Sequence, residues 1–215
     1  MGNAAETAID GRHARRERSR IAVIDAVFAL VRDGKVPPTV EDVAERAGVS
    51  VSSVFRNFDG LDDMQRQAFD VFQERYAQLF ESVTSSAMPR PERVTAHVRS
   101  RLALYDAAGP MMHVARQRAL DYLPMAEGVG RSRSRLADQT RQHFGPEAAF
   151  LTPAEAANLL SVIDSMTSPD AYEVMGAANG RSHRQIGRAW TVALDALLAG
   201  WPGLPAAEPD KEHTP

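Results

Sequence analysis

The chain has no cysteine among its 215 residues, which excludes a disulfide framework, a thiolate zinc site and a cysteine nucleophile. It has no apolar run near the ~20 residues that a membrane span requires. Its opening Met-Gly-Asn-Ala-Ala-Glu leads into an Arg-rich stretch rather than into the apolar segment of a signal peptide. These absences predict a cytoplasmic protein with no membrane partner. Strand-like alternation is scarce as well. His113 and His143 stand at no metal-ligating spacing, and there is no nucleophile elbow, phosphate loop or dinucleotide fingerprint. No metal, no cofactor and no enzymatic activity are therefore expected. A net charge of -3 is not that of a non-specific nucleic-acid coat, but a small DNA-reading head on a larger acidic body gives the same total.

What the sequence does have is helical periodicity nearly throughout, which predicts an all-α fold: an N-terminal three-helix head followed by a larger helical domain. In the first helix Ile21, Ile24, Val27, Phe28 and Val31 share a face, preceded by Arg15, Arg16, Arg18 and Arg20. Asp33-Gly34 and Pro37-Pro38 end it. A longer helix is expected from about Leu61 to Val83, then helices near 91–107, 110–123, 131–144, 153–167 and 182–199, each fenced by Pro or Gly. Residues 1–11 and 202–215 read as disordered tails. The expected domains are then 12–60 and 61–201.

The segment that carries chemistry lies between Thr39 and Phe58. Thr39 stands as an N-cap before Val40–Ala47, with Glu41 and Asp42 in the first turn, where negative charge suits the helix dipole. Gly48 can take the positive φ of a tight turn, and Ser50 caps a second short helix bearing Val51, Val54, Phe55 and Phe58. Small Ala44 lets the two helices approach, and Val49 and Val54 fill the space beneath them. Two short helices joined by such a turn form a helix-turn-helix, whose second helix enters the major groove at its N-terminal end. The alternative is a plain αα-hairpin. The Arg-rich first helix and the trailing Phe-Arg-Asn-Phe favour the DNA reader.

The stretch Thr39-Val-Glu-Asp-Val-Ala-Glu-Arg-Ala-Gly-Val-Ser-Val-Ser-Ser-Val-Phe-Arg-Asn-Phe58 resembles the DNA-binding head of the TetR family of repressors. The close resemblance runs over residues near 15–64. A looser one covers Leu160–Tyr172, whose Thr-Ser-Pro-Asp-Ala is similar to a segment before the last helix in some members. The resemblance implies a regulator, usually a repressor, that binds double-stranded DNA at a palindromic operator as a homodimer and is released by a small-molecule effector. It implies DNA contacts from Thr39, Val51, Ser52, Ser53, Phe55, Arg56 and Asn57; by position, the Ser50 hydroxyl at the helix start and the cations of Arg15, Arg16, Arg18 and Arg20 are expected to join them. Two positions depart from the family pattern: Phe55 replaces a Tyr, and Leu61 replaces a Lys, each removing a phosphate contact. A helical protein-interaction adaptor that keeps the fold without DNA binding is the alternative reading.

The larger part would serve dimerisation and effector sensing. Leu159, Val162, Ile163 and Met166 with Trp190, Leu194 and Leu197 are the expected intersubunit helices, the other option being that they fill the monomer core. Phe69, Phe72, Tyr76, His97, Arg101, Tyr105, Met112 and Phe144 are the expected effector lining. Arg101 falls on or beside a buried stripe, so it needs an anionic partner: a neighbouring carboxylate of the chain or that of a ligand.

Overall fold

The structure is a computed structural model that describes residues 3–81 and 87–205. Every regular element among them is helical: α1 (Asn3–Arg32), α2 (Val40–Ala47), α3 (Val51–Asn57), α4 (Leu61–Arg75), a 3-10 turn at Ala77–Phe80, α5 (Arg90–Arg118), α6 (Leu123–Ala148), α7 (Pro153–Met166), α8 (Pro169–Glu173) running into a π turn at Val174–Ala178, and α9 (His183–Gly200). The all-α expectation holds. Helix α1 begins at Asn3, inside the stretch read from sequence as a tail. Residues 206–215 of the expected C-terminal tail, and Val83, lie outside the described residues.

The chain divides into two compact units, Met1–Ala77 with Ala108–Gly130, and Gln78–Ala107 with Arg131–Pro215. In the first unit α1 packs on α2, α3 and α4. Its core holds Val23, Ile24, Val27, Leu30 and Val31 from α1, with Val43, Val54, Phe58, Met64, Phe69 and Phe72. This stripe is broader than the periodicity implied and leaves Ile21 half exposed, because α1 is flanked on several sides rather than along one seam. Gly128 meets α4 so closely that a Cβ there would lie 2.3 Å from the Phe69 ring.

In the second unit the buried apolar set is Phe80, Val94, Val98, Leu102, Leu104, Tyr105, Leu136, Phe144, Leu159, Ile163, Ile186, Trp190, Leu194 and Leu198. Two expected breaks do not occur. Helix α5 continues through Pro110, although the ring removes one backbone hydrogen bond. Pro110 is exposed, so water can solvate the freed carbonyl, while Ala108 and Met112 on the opposite face stay buried. Helix α6 likewise runs past Gly130 and as far as Ala148, absorbing Pro146 through a local kink at Phe144 (φ −113°, ψ 16°). Helix α8 was not foreseen. Ser168 accepts from the Ala171 N–H and Pro169 occupies the first helical position, so the Ser-Pro pair of the looser motif is a helix start.

Candidate nucleic-acid interface

The head is built from local rules. Thr39 and Asp42 form a reciprocal capping box, Thr39 Oγ1 accepting from Asp42 N–H and Asp42 Oδ2 from Thr39 N–H, each at 3.2 Å. Lys35 pairs with the same Asp42, and these contacts hold its carboxyl below the ordinary aspartate range, the Lys35 hydrogen bond most strongly. Gly48 ends α2 in the left-handed region (φ 67°), donating to the Ala44 and Glu45 carbonyls. A side chain at that φ is strained, so the tight turn depends on glycine. Ser50 then caps α3 by accepting from Ser53 N–H. Of the two turn valines, Val54 is buried and Val49 half-buried.

Helix α3 turns Val54 inward and leaves Ser52, Phe55 and Arg56 exposed, with Val51, Ser53 and Asn57 half-buried beside them. At the helix start the Ser50 hydroxyl lies 3.0 Å from that of Ser52 and 2.9 Å from that of Ser53. Arg56 donates to Ser53 Oγ (2.6 Å), Arg16 to the Arg56 carbonyl (3.2 Å) and Asn57 to Ser19 Oγ (2.8 Å). Together Arg15, Arg16, Ser19, Ser53, Arg56 and Asn57 line an open cleft of about 460 Å³. It holds three guanidiniums and no carboxylate, which is an electrostatic seat for phosphate. Thr39 and Ser50 are exposed cap residues of α2 and α3 and stand outside this cleft.

Sequence reasoning missed Ser19, one turn after Arg15 and Arg16. It also gave all the arginines one role, whereas Arg20 pairs with Glu17 and Arg18 bonds the Ala14 carbonyl. Phe55 is 55% exposed and Leu61 is 40% exposed, so both departures from the family pattern lie on the surface of the head.

The residues expected to line an effector site fall in both units. Phe69, Phe72 and Met112 are core residues of the first, with Tyr76 half-buried there. His97, Arg101, Tyr105 and Phe144 are buried in the second. There, residues four apart on α5 form a polar seam. Arg93 makes a bidentate pair with Glu147 (2.6 Å to each oxygen) and donates to the His143 carbonyl. His97 Nδ1 lies 2.9 Å from His143 Nδ1 and its Nε2 lies 3.0 Å from Thr167 Oγ1. Arg101 Nη2 reaches the Leu136 carbonyl, Thr140 Oγ1 and Asp164 Oδ1. Tyr105 donates to the Thr167 carbonyl at 2.8 Å. The anionic partner of Arg101 is thus Asp164, 2.7 Å away, a carboxylate of the chain itself.

Thr167 Oγ1 donates to the Ile163 carbonyl at 2.9 Å, so His97 Nε2 serves as donor to Thr167. His97 Nδ1 then accepts from His143 Nδ1. This wiring needs a neutral His97, and burial with the neighbouring Arg101 charge lowers its pKa well below the usual value, while burial with the Arg101 and Arg93 charges lowers His143 to about 4. Unfolding lets both return to about 6.5 and take up protons. Stability is therefore full above pH 6.5 and falls as the pH drops toward 4, by about 1.4 kcal/mol per unit for each histidine. A His97→Gln/His143→Gln variant should flatten the profile of urea midpoint against pH in that window. A profile of unchanged steepness would refute the assignment.

Four of the seven residues expected at a dimer interface turn inward. Leu159, Ile163, Trp190 and Leu194 are buried in their own chain, because the 4-residue spacing of Ile186, Trp190, Leu194 and Leu198 fixes the inward phase of α9. Val162 is exposed, and Met166 and Leu197 are half-buried. The outward face of α9 carries Ala189, Val192 and Ala196, with Val192 69% exposed. Sequence alone could have found them by rotating the wheel away from the most apolar side.

The fold is thus an all-α chain with a helix-turn-helix head. Among solved structures it is similar to a transcriptional regulator from Rhodococcus sp. Rha1, with a TM-score of 0.65 and 20% identity, over 88% of this chain and 99% of that one. It is also similar to a protein from Rhodococcus sp. assigned to the TetR family of transcriptional regulators, with a TM-score of 0.56 and 18% identity, over 83% of this chain and 97% of that one. At these identities the likeness is one of fold. No protein-family profile matches the sequence. No curated protein matches it either. No helix among the described residues is long and apolar enough to cross a membrane.

Proposed function

We propose that the chain is a TetR-like transcriptional regulator, most simply a repressor, that reads double-stranded DNA through α3. The observation that carries this reading is the cationic cleft of Arg15, Arg16 and Arg56 beside the exposed start of α3. Phosphates seated there fix the register, while Ser52 and its neighbours meet base edges. Phe55 offers an apolar contact to sugar or to a thymine methyl in place of a phosphate hydrogen bond. Likeness of fold to two solved regulators supports the same reading. Selection of bound duplexes from a random pool should recover a palindrome with half-sites about one helical turn apart. Recovery of no enriched sequence would overturn it.

A palindrome requires a two-fold protein, and the exposed Ala189, Val192 and Ala196 on α9, with exposed Val162 on α7, offer apolar surface to a second copy. Val192→Glu/Ala196→Glu should convert a dimer to a monomer in sedimentation and lower operator affinity at least a hundredfold, with the helical circular dichroism kept. A variant that remains dimeric would move the interface elsewhere. On this reading, an effector that binds the helical body shifts the dimer between states with different head spacing.

A further inference from the structure

The second unit carries a cleft of about 660 Å³ between α5 and α9, separate from the polar seam. Its floor is apolar: Val98, Leu102 and Gly187, where a Cβ would come within 2.9 Å of the Leu102 side chain, and Val192, which also belongs to the outward face of α9, lines it too. Its rim carries Arg99, Arg184 and Arg188, all exposed and, among the described residues, engaged in no ion pair. The one carboxylate on the rim, Asp106, lies 3.9 Å from His183. Arg99 on α5 with Arg184 and Arg188 on α9 thus place three guanidiniums around an apolar floor.

The start of α9 adds to the same field. Helices α2, α4 and α7 place carboxylates in their first turns, at Glu41 and Asp42, at Asp62 and Asp63, and at Glu155, whereas α3 and α6, like α9, have none. The capping box of α9 uses neutral Gln185, and its first turn holds His183 and Arg184 with no acid. Cations at the positive end of a helix dipole are unfavourable.

We propose that this cleft binds a small organic anion with an apolar body, such as a medium-chain carboxylate. The carboxylate sits among Arg99, Arg184 and Arg188 near the first turn of α9, and the chain lies on Val98 and Leu102. The volume falls in the range of small-molecule sites, about 300–1,000 Å³. Charge and apolar floor act together, so neither a short anion nor a neutral chain suffices.

The test uses full-length protein and octanoate as probe, with acetate and octanol as controls, in titration calorimetry at low salt. One saturable octanoate site is expected, at least tenfold tighter than either control and weakened by added salt. Arg184→Gln/Arg188→Gln and, separately, Ala103→Trp, which fills the cleft from an exposed position, should each weaken octanoate at least tenfold with unchanged circular dichroism. Absence of a saturable site overturns the proposal, as does equal binding by the variants. A change of sedimentation mass in the variants without octanoate binding would assign the cleft to a second copy instead, and also overturns it. None of these readouts involves DNA, so failure here is distinct from failure of the regulator reading.

Discussion

Glu147→Ala should lower the unfolding free energy by about 3–5 kcal/mol, the usual cost of stranding one partner of a buried ion pair. Glu147 is 2% exposed and Arg93 4% exposed, and the pair is bidentate. Desolvation raises the carboxyl pKa, but the hydrogen bond and charge of Arg93, the hydrogen bond from Arg90 and a backbone hydrogen bond together outweigh it, so Glu147 stays ionised. Removing it leaves the Arg93 guanidinium inside the unit with the Met88 and His143 carbonyls as its remaining partners. Arg90, also bonded to Glu147, is less deeply placed and can turn toward water. The Arg93→Met/Glu147→Met double variant should recover most of the loss, because the desolvation of both charges goes with them. Urea unfolding of the three proteins measures this directly. A single-variant loss below about 1 kcal/mol, or a double variant worse than the single, would show that the pair is solvated in solution.

The same seam explains where the sequence was legible and where it was not. Val94, Val98, Leu102 and Tyr105 announce a buried stripe by spacing alone, and Arg101 was correctly placed on it. Nothing in that stripe reveals that His143, Glu147 and Thr167, from helices far along the chain, stand opposite Arg93 and His97. Polar partners in a core are chosen by tertiary packing and have no period of their own. The head is the reverse case. Thr39, Gly48 and Ser50 act through bonds to residues within five positions, so capping and turn chemistry could be read in order along the chain. Pro110 misled because a proline signals a lost hydrogen bond, while helix continuation depends on what the flanking turns bury. The phase of α9 misled for a related reason. Apolarity points to burial, and burial in the chain's own core removes Trp190 and Leu194 from any outer face.

Replacing Arg15, Arg16 and Arg56 together by alanine should lower operator affinity by about three orders of magnitude at physiological salt and leave sequence preference intact. The three guanidiniums share one cleft, and each can neutralise one phosphate. In a dimer that makes six contacts, and at about 0.9 counterions released for each, the slope of log affinity against log salt should shrink by about five. Such contacts position the protein without carrying sequence information, so the recovered palindrome should not change. Ser52→Ala is the complementary variant. Ser52 stands exposed at the start of α3 and its hydroxyl lies 3.0 Å from that of Ser50, so its loss should alter base preference at one position and spare the salt slope. Arg141→Ala, which removes an exposed arginine paired with Asp138 in the other unit, controls for net charge. If the triple variant keeps the wild-type slope, or loses no more affinity than Arg141→Ala, the phosphates sit elsewhere. The Phe55 and Leu61 side chains, exposed on the head, carry no hydrogen-bond donor for a phosphate, which leaves more of the grip to these arginines.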